Sequence, residues 1–140
     1  METRIEQTIE RRNKGYNCAQ AVACTYCDLF GIDENTMLRI TEAFGVGMGN
    51  MEGTCGAISG ACVILGLLNS SGDSENVSSK GATGKLARQV MEQFKARNSS
   101  VICKELKGVT TGKMLRSCPD CIRDAAEFLE NILQTKEGEK

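Results

Sequence analysis

Residues 17–30 read Asn17-Cys18-Ala19-Gln20-Ala21-Val22-Ala23-Cys24-Thr25-Tyr26-Cys27-Asp28-Leu29-Phe30. Apolar side chains fall on nearly every side of a helical projection of this stretch. A helix that is apolar all round is buried among others. The segment therefore predicts a central helix that stops before Gly31, and a fold built of helices around it.

The flanks agree. Upstream, Ile5 and Ile9 share a face of a helix over about Glu2 to Lys14, with Gly15 as its stop. Downstream, Asp33 is a natural N-cap for a third helix, with Met37, Ile40 or Thr41, and Phe44 facing inward. A glycine-rich loop, Gly45 to Thr54, feeds a fourth helix from about Cys55 to Leu68. Gly56 and Gly60 in it leave a groove where another backbone can come close. After a polar loop over Asn69 to Ser79, Ala82, Leu86, Val90 and Phe94 mark a fifth helix, about Lys80 to Arg97. Ser99 to Ser117 reads as irregular, with one helical turn around Cys103 to Leu106. Pro119 at a first helical position opens the last helix, and the charged tail after Gln134 is expected to fray. No strand alternation and no repeat is present. The expected class is all-α, a compact bundle of about five to six helices in a single domain, residues 1–140.

The chain has 8 Cys and no His in 140 residues. Without imidazole there is no Cys–His pair, no His metal ligand and no haem attachment motif. Chemistry must come from thiols helped by amides, lysines, arginines and carboxylates, or from a thiolate-binding metal. A net charge of −1 gives no reason to expect nucleic acid or an anionic membrane. The longest apolar stretch, Ala61 to Leu68, is far below the roughly 20 residues of a membrane span. The N-terminus has no apolar signal region. A cytoplasmic protein with reduced thiols is expected, so the cysteines are not a structural disulfide framework.

The glycine loop carries no dinucleotide fingerprint. Starting a G-x-G-x-x-G at Gly45 puts Asn50 in the third glycine position, and starting it at Gly47 puts Glu52 there. The loop is either a tight turn or a cradle of amides for an anionic group. Cys55 opens the following helix, where the dipole favours the thiolate. Gly53 and Gly56 would let backbone approach its sulfur, and Cys55 is expected to be the most reactive thiol. Glu52 is the one acid of interest beside this loop. Cys118-Pro119-Asp120-Cys121 has the spacing of a dithiol or of two metal ligands, although Asp120 opposes ionisation. Cys24, Cys27 and Cys62 sit in apolar helices; Cys24 and Cys62 are expected to be buried and inert.

These residues resemble a known family. Asn17-Cys18-Ala19-Gln20-Ala21-Val22, Cys55-Gly56-Ala57-Ile58-Ser59-Gly60, Cys103-Lys104-Glu105-Leu106 and Cys118-Pro119-Asp120-Cys121 resemble, in order, the cysteine motifs of the C-GCAxxG-C-C family of redox-active proteins. The resemblance covers nearly the whole chain and implies redox chemistry without naming a reaction. It matches Cys118 to the fourth motif and leaves Cys121 as an addition. The expectation is that Cys18, Cys55, Cys103 and Cys118 converge on one site, with Cys121, Gly53 and Gly56 as further contributors. Four thiolates suit an iron–sulfur cluster, most simply [2Fe–2S], serving one-electron transfer to a partner protein. A dithiol oxidoreductase and a structural four-cysteine zinc site are the alternatives. No nucleic acid or membrane partner is expected, and the apolar helices allow a homodimer.

Overall fold

The computed structural model describes residues 1–138. It contains seven right-handed helices: α1 (Ile5–Asn13), α2 (Cys18–Tyr26), α3 (Glu34–Thr41), α4 (Gly56–Asn69), α5 (Lys80–Asn98), α6 (Cys103–Lys107) and α7 (Cys118–Gly138). Short 3-10 turns at Cys27–Phe30 and Glu42–Phe44 follow α2 and α3. Among the described residues there is no strand. One isolated antiparallel bridge joins Thr54 to Ile102. The fold is all-α, as the sequence predicts.

The central helix starts on a reciprocal cap. Asn17 Oδ1 accepts the Gln20 N–H at 2.9 Å, and Gln20 Oε1 accepts the Asn17 N–H at 3.0 Å. This satisfies two backbone donors that the first turn leaves open. Beyond it Ala19, Ala21, Val22, Ala23 and Tyr26 are fully buried. They pack on Ala57, Ile58, Ala61, Ile64 and Leu65 of α4 in one hydrophobic cluster. Val90 and Phe94 of α5 and Ile122, Ala125, Ala126, Leu129, Ile132 and Leu133 of α7 complete that cluster. Each buried Ile, Leu, Val or Phe contributes about 1.5–3 kcal/mol by leaving water.

Caps fix the other ends. Asp33 Oδ2 accepts the Thr36 N–H at 3.0 Å and starts α3. Met37 and Thr41 are the inward residues of that helix, while Ile40 is exposed. The final helix continues through Gly138 rather than fraying after Gln134. Its end is held in part by the Met1 ammonium, 3.0 Å from Glu137 Oε2. Residues 139–140 of the expected tail lie outside the described residues. Among those described, no helix is long and apolar enough to cross a membrane.

Candidate functional site

The site collects four chain segments at helix starts. Cys18 is the first residue of α2, next to its Asn17 cap. Cys55 is the N-cap of α4. Its N–H donates to Val101 O at 2.7 Å, and the Cys103 N–H donates to Gly53 O at 3.0 Å. With Lys104 N donating to Met51 O at 2.9 Å, these bonds staple residues 51–55 along 101–104 and bring Cys55 and Cys103 to one wall. Cys118 opens α7, and Cys121 follows one turn later.

All five of these cysteines line one cavity of about 280 Å³. Gly47, Gly56 and Leu106 complete its buried floor, where Cys55, Cys103 and Cys121 lie. Arg12, Tyr16, Val46, Lys107 and Arg116 reach solvent around its rim, together with Cys18 and Cys118. Gly53 does not line it. That glycine packs under the loop, where a Cβ would stand 2.9 Å from Gly47 O.

The glycine loop is a left-handed turn. Val46, Gly47, Met48 and Gly49 have φ of 55°, 55°, 67° and 87°. The Gly49 N–H closes it on Gly45 O at 2.9 Å. Left-handed backbone costs a residue with a Cβ about 1–2 kcal/mol, and Val46 is β-branched. Gly47 is required for space as well: a Cβ there would meet Cys103 Cβ at 2.5 Å. Strained backbone of this kind collects at functional sites.

The thiols act on one another in two pairs, Cys18 with Cys118 and Cys55 with Cys121. Each pair has a thiolate-favouring member. The Cys18 S–H beside Cys118, with Lys107 and Arg12 close by, lowers Cys118 to about 6. Cys18 is pushed up in turn, by Cys118 and by burial. On the floor, the Cys121 S–H and the Ala57 and Ile58 amides of the α4 start hold Cys55 below the ordinary thiol value. Cys121 is pushed up in turn by Cys55 and by burial. Cys103 has no thiol partner of this kind, and burial raises it.

Several sequence expectations change at this level. Cys55 favours its thiolate but is only 5% exposed. Reactivity needs thiolate and access together, so Cys118 on the rim takes the place given to Cys55. Glu52 makes a surface ion pair with Lys104 at 2.9 Å and does not reach the cavity. The opposing charge of Asp120 is outweighed at Cys118 by Lys107 and Arg12. Cys24 is buried and pushed up to about 12 by desolvation. Cys62 is half-buried rather than buried, with its thiol raised by desolvation, and lines a separate apolar groove. Arg12 and Lys107 escaped the sequence reading. The only signal was that Lys107 lies four residues after Cys103, on the same face of a helix.

The donor set is sulfur alone, with no carboxylate on the cavity wall. Among the described residues, no three His, Cys, Asp or Glu side chains are placed to hold one metal ion. Sulfur is the donor that thiolate-bound metals and iron–sulfur clusters take.

A family model described as "Putative redox-active protein (C_GCAxxG_C_C)" matches residues 16–132. No curated protein and no solved structure matches the chain.

Proposed function

The chain belongs to the C_GCAxxG_C_C family of redox-active proteins, and on that premise we propose that the cavity holds an iron–sulfur cluster for one-electron transfer to a partner protein. The observation that carries this reading is the one cavity lined by five thiols, among which Cys18 acts on Cys118 and Cys121 on Cys55. These two pairs supply four thiols, the ligand count of a [2Fe–2S] cluster. Cys103 is a fifth thiol on the same wall. It replaces Cys121 in the set that the family resemblance implies.

A bound cluster supplies a reversible one-electron couple. The protein's own part is to hold thiolates in place and to surround sulfur with donors. The Ala57 and Ile58 amides favour the Cys55 thiolate, and Lys107 favours that of Cys118. Such donors tune a cluster's potential. The buried floor keeps water from the inner pair. A reducing, cytoplasmic setting follows from the need for free thiols.

The test is anaerobic purification, or reconstitution with ferrous iron and sulfide, followed by visible absorbance, electron paramagnetic resonance after reduction, and iron and sulfide assays. A brown protein with equal iron and sulfide supports the cluster. A protein that stays colourless and metal-free after reconstitution overturns it.

One observation favours a second reading. Cys118, lowered to about 6 by Cys18, is a thiolate beside a thiol, the arrangement of a dithiol that exchanges with disulfides. In that case the colourless protein loses two thiols on mild oxidation and regains them on reduction. A structural zinc site would draw on the same thiols, and a colourless protein carrying zinc would identify it.

A further inference from the structure

Cations gather on the cavity rim with no carboxylate among them. Three line the cavity, and its acidic groups are thiols. Arg116 is already neutralised: its Nε and Nη2 donate to the two oxygens of buried Asp124 at 3.0 and 3.1 Å. Arg12 and Lys107 meet no carboxylate among the described residues, although both are half-buried. A cation that has given up part of its hydration gains from an anionic neighbour. Both favour the Cys118 thiolate and face a concave, solvent-open cavity beside it.

We infer that Arg12 and Lys107 form a recognition site for a small anion, a carboxylate or an oxyanion, held at the cavity rim against Cys118. The cavity, at about 280 Å³, has room only for a compact ligand. Its walls give that ligand an asymmetric setting. Leu106 and Val46 offer apolar contact, and the guanidinium of Arg12 offers a planar fork matched to carboxylate or oxyanion geometry. Lys107 adds a point charge that can reorient. The inference goes beyond the cluster reading and does not depend on it, because it concerns the rim and is tested on metal-free protein. A chain that fails to take up iron can still recognise the anion, and the reverse.

The plain alternative is that the two cations only stabilise the Cys118 thiolate. Two alkylating reagents separate the cases. Iodoacetate and iodoacetamide attack the same thiolate and lose the same iodide, but only iodoacetate is an anion. Thiolate stabilisation changes both rates alike, whereas anion recognition raises only the iodoacetate rate.

The experiment measures both rates at each cysteine of the reduced, metal-free full chain by peptide mass analysis. The iodoacetate-to-iodoacetamide ratio at Cys118 should exceed that at Cys62, a half-buried thiol away from the site, by about tenfold. Inorganic sulfate at constant ionic strength should suppress the iodoacetate reaction at Cys118 more strongly than the iodoacetamide reaction. Arg12→Gln and Lys107→Gln should each lower the ratio several-fold, and an unchanged circular dichroism spectrum would show that each variant is folded. Equal ratios at Cys118 and Cys62 overturn the inference. So does a Cys118 that reacts with neither reagent, since a cavity closed to such small molecules recognises none.

Discussion

A Cβ built on Gly60 would stand 2.5 Å from the Ala19 carbonyl oxygen. The first turn of α2 therefore rests directly on the backbone of α4. The contact also sets the chemistry: one turn earlier, a Cβ on Gly56 would stand 3.2 Å from Cys18 Cβ. Two glycines four residues apart thus hold Cys18 beside the start of α4, where Cys55 sits.

Gly60→Ala should force these helices apart. The obstacle is main chain rather than a flexible side-chain tip, so destabilisation of about 1–3 kcal/mol is expected from the denaturant midpoint. Iron uptake should fall with it. Gly66→Ala is the control on the same helix. It meets nothing within 4 Å and should stabilise by about 0.5–1 kcal/mol through helix propensity. Equal effects at the two positions would remove the close-contact account.

Cys118 should titrate far below a free thiol. Its value of about 6 means that most molecules carry the thiolate at pH 7. Alkylation by iodoacetamide should be near its plateau at neutral pH and fall as pH drops through about 6. A free thiol falls through about 8.5. Cys24, pushed up to about 12, should stay unreactive over this whole range. A Cys118 profile centred near 8.5 would mean that Lys107, Arg12 and Cys18 do not act on it.

The five cavity cysteines should divide by pairing. Ser in place of Cys18, Cys55, Cys118 or Cys121 should reduce iron retention to background. Cys103→Ser should keep most of it, as should Cys24→Ala and Cys62→Ala. Iron lost in Cys103→Ser and kept in Cys121→Ser would restore the ligand set that the family resemblance implies.

Relief of the left-handed turn gives another measurable change. Val46→Gly removes a β-branched residue from φ of 55° and should stabilise the chain by about 0.5–1 kcal/mol. Gly47→Ala should do the opposite and disturb Cys103, whose Cβ is 2.5 Å from the added carbon. If Val46→Gly destabilises, the turn is not under strain.

What the sequence revealed follows the range of the forces involved. The cap at Asp33 and the all-round apolar face of α2 are local patterns, and they were legible. So were the cysteine positions at helix starts. The pairing of Cys55 with Cys121 was not, because it depends on how α7 docks against α4. Arg12 and Lys107 were hidden for the same reason: nothing near Arg12 in the chain points to Cys118. The left-handed backbone at Val46 runs against local preference. Long-range bonds, such as Cys103 N–H to Gly53 O at 3.0 Å, hold the neighbouring chain in place. The half-exposure of Cys62 escaped because an apolar neighbourhood in sequence does not say which side of a helix is covered.

Cys18 and Cys118 stand 100 residues apart in the chain, yet they meet at one rim. Any linkage through both sulfurs, whether a disulfide or a shared cofactor, would close most of the polypeptide into a ring. An unfolded chain loses far more freedom to such a ring than a folded one. For a loop of this size the difference is about 4–5 kcal/mol in the chain-entropy account, a large share of a small domain's total stability. Thermal melting of the linked and unlinked forms should therefore separate widely. The electronic state of the site would then be written into the lifetime of the fold: a molecule stripped of its link would be the first to unravel and the first to be degraded.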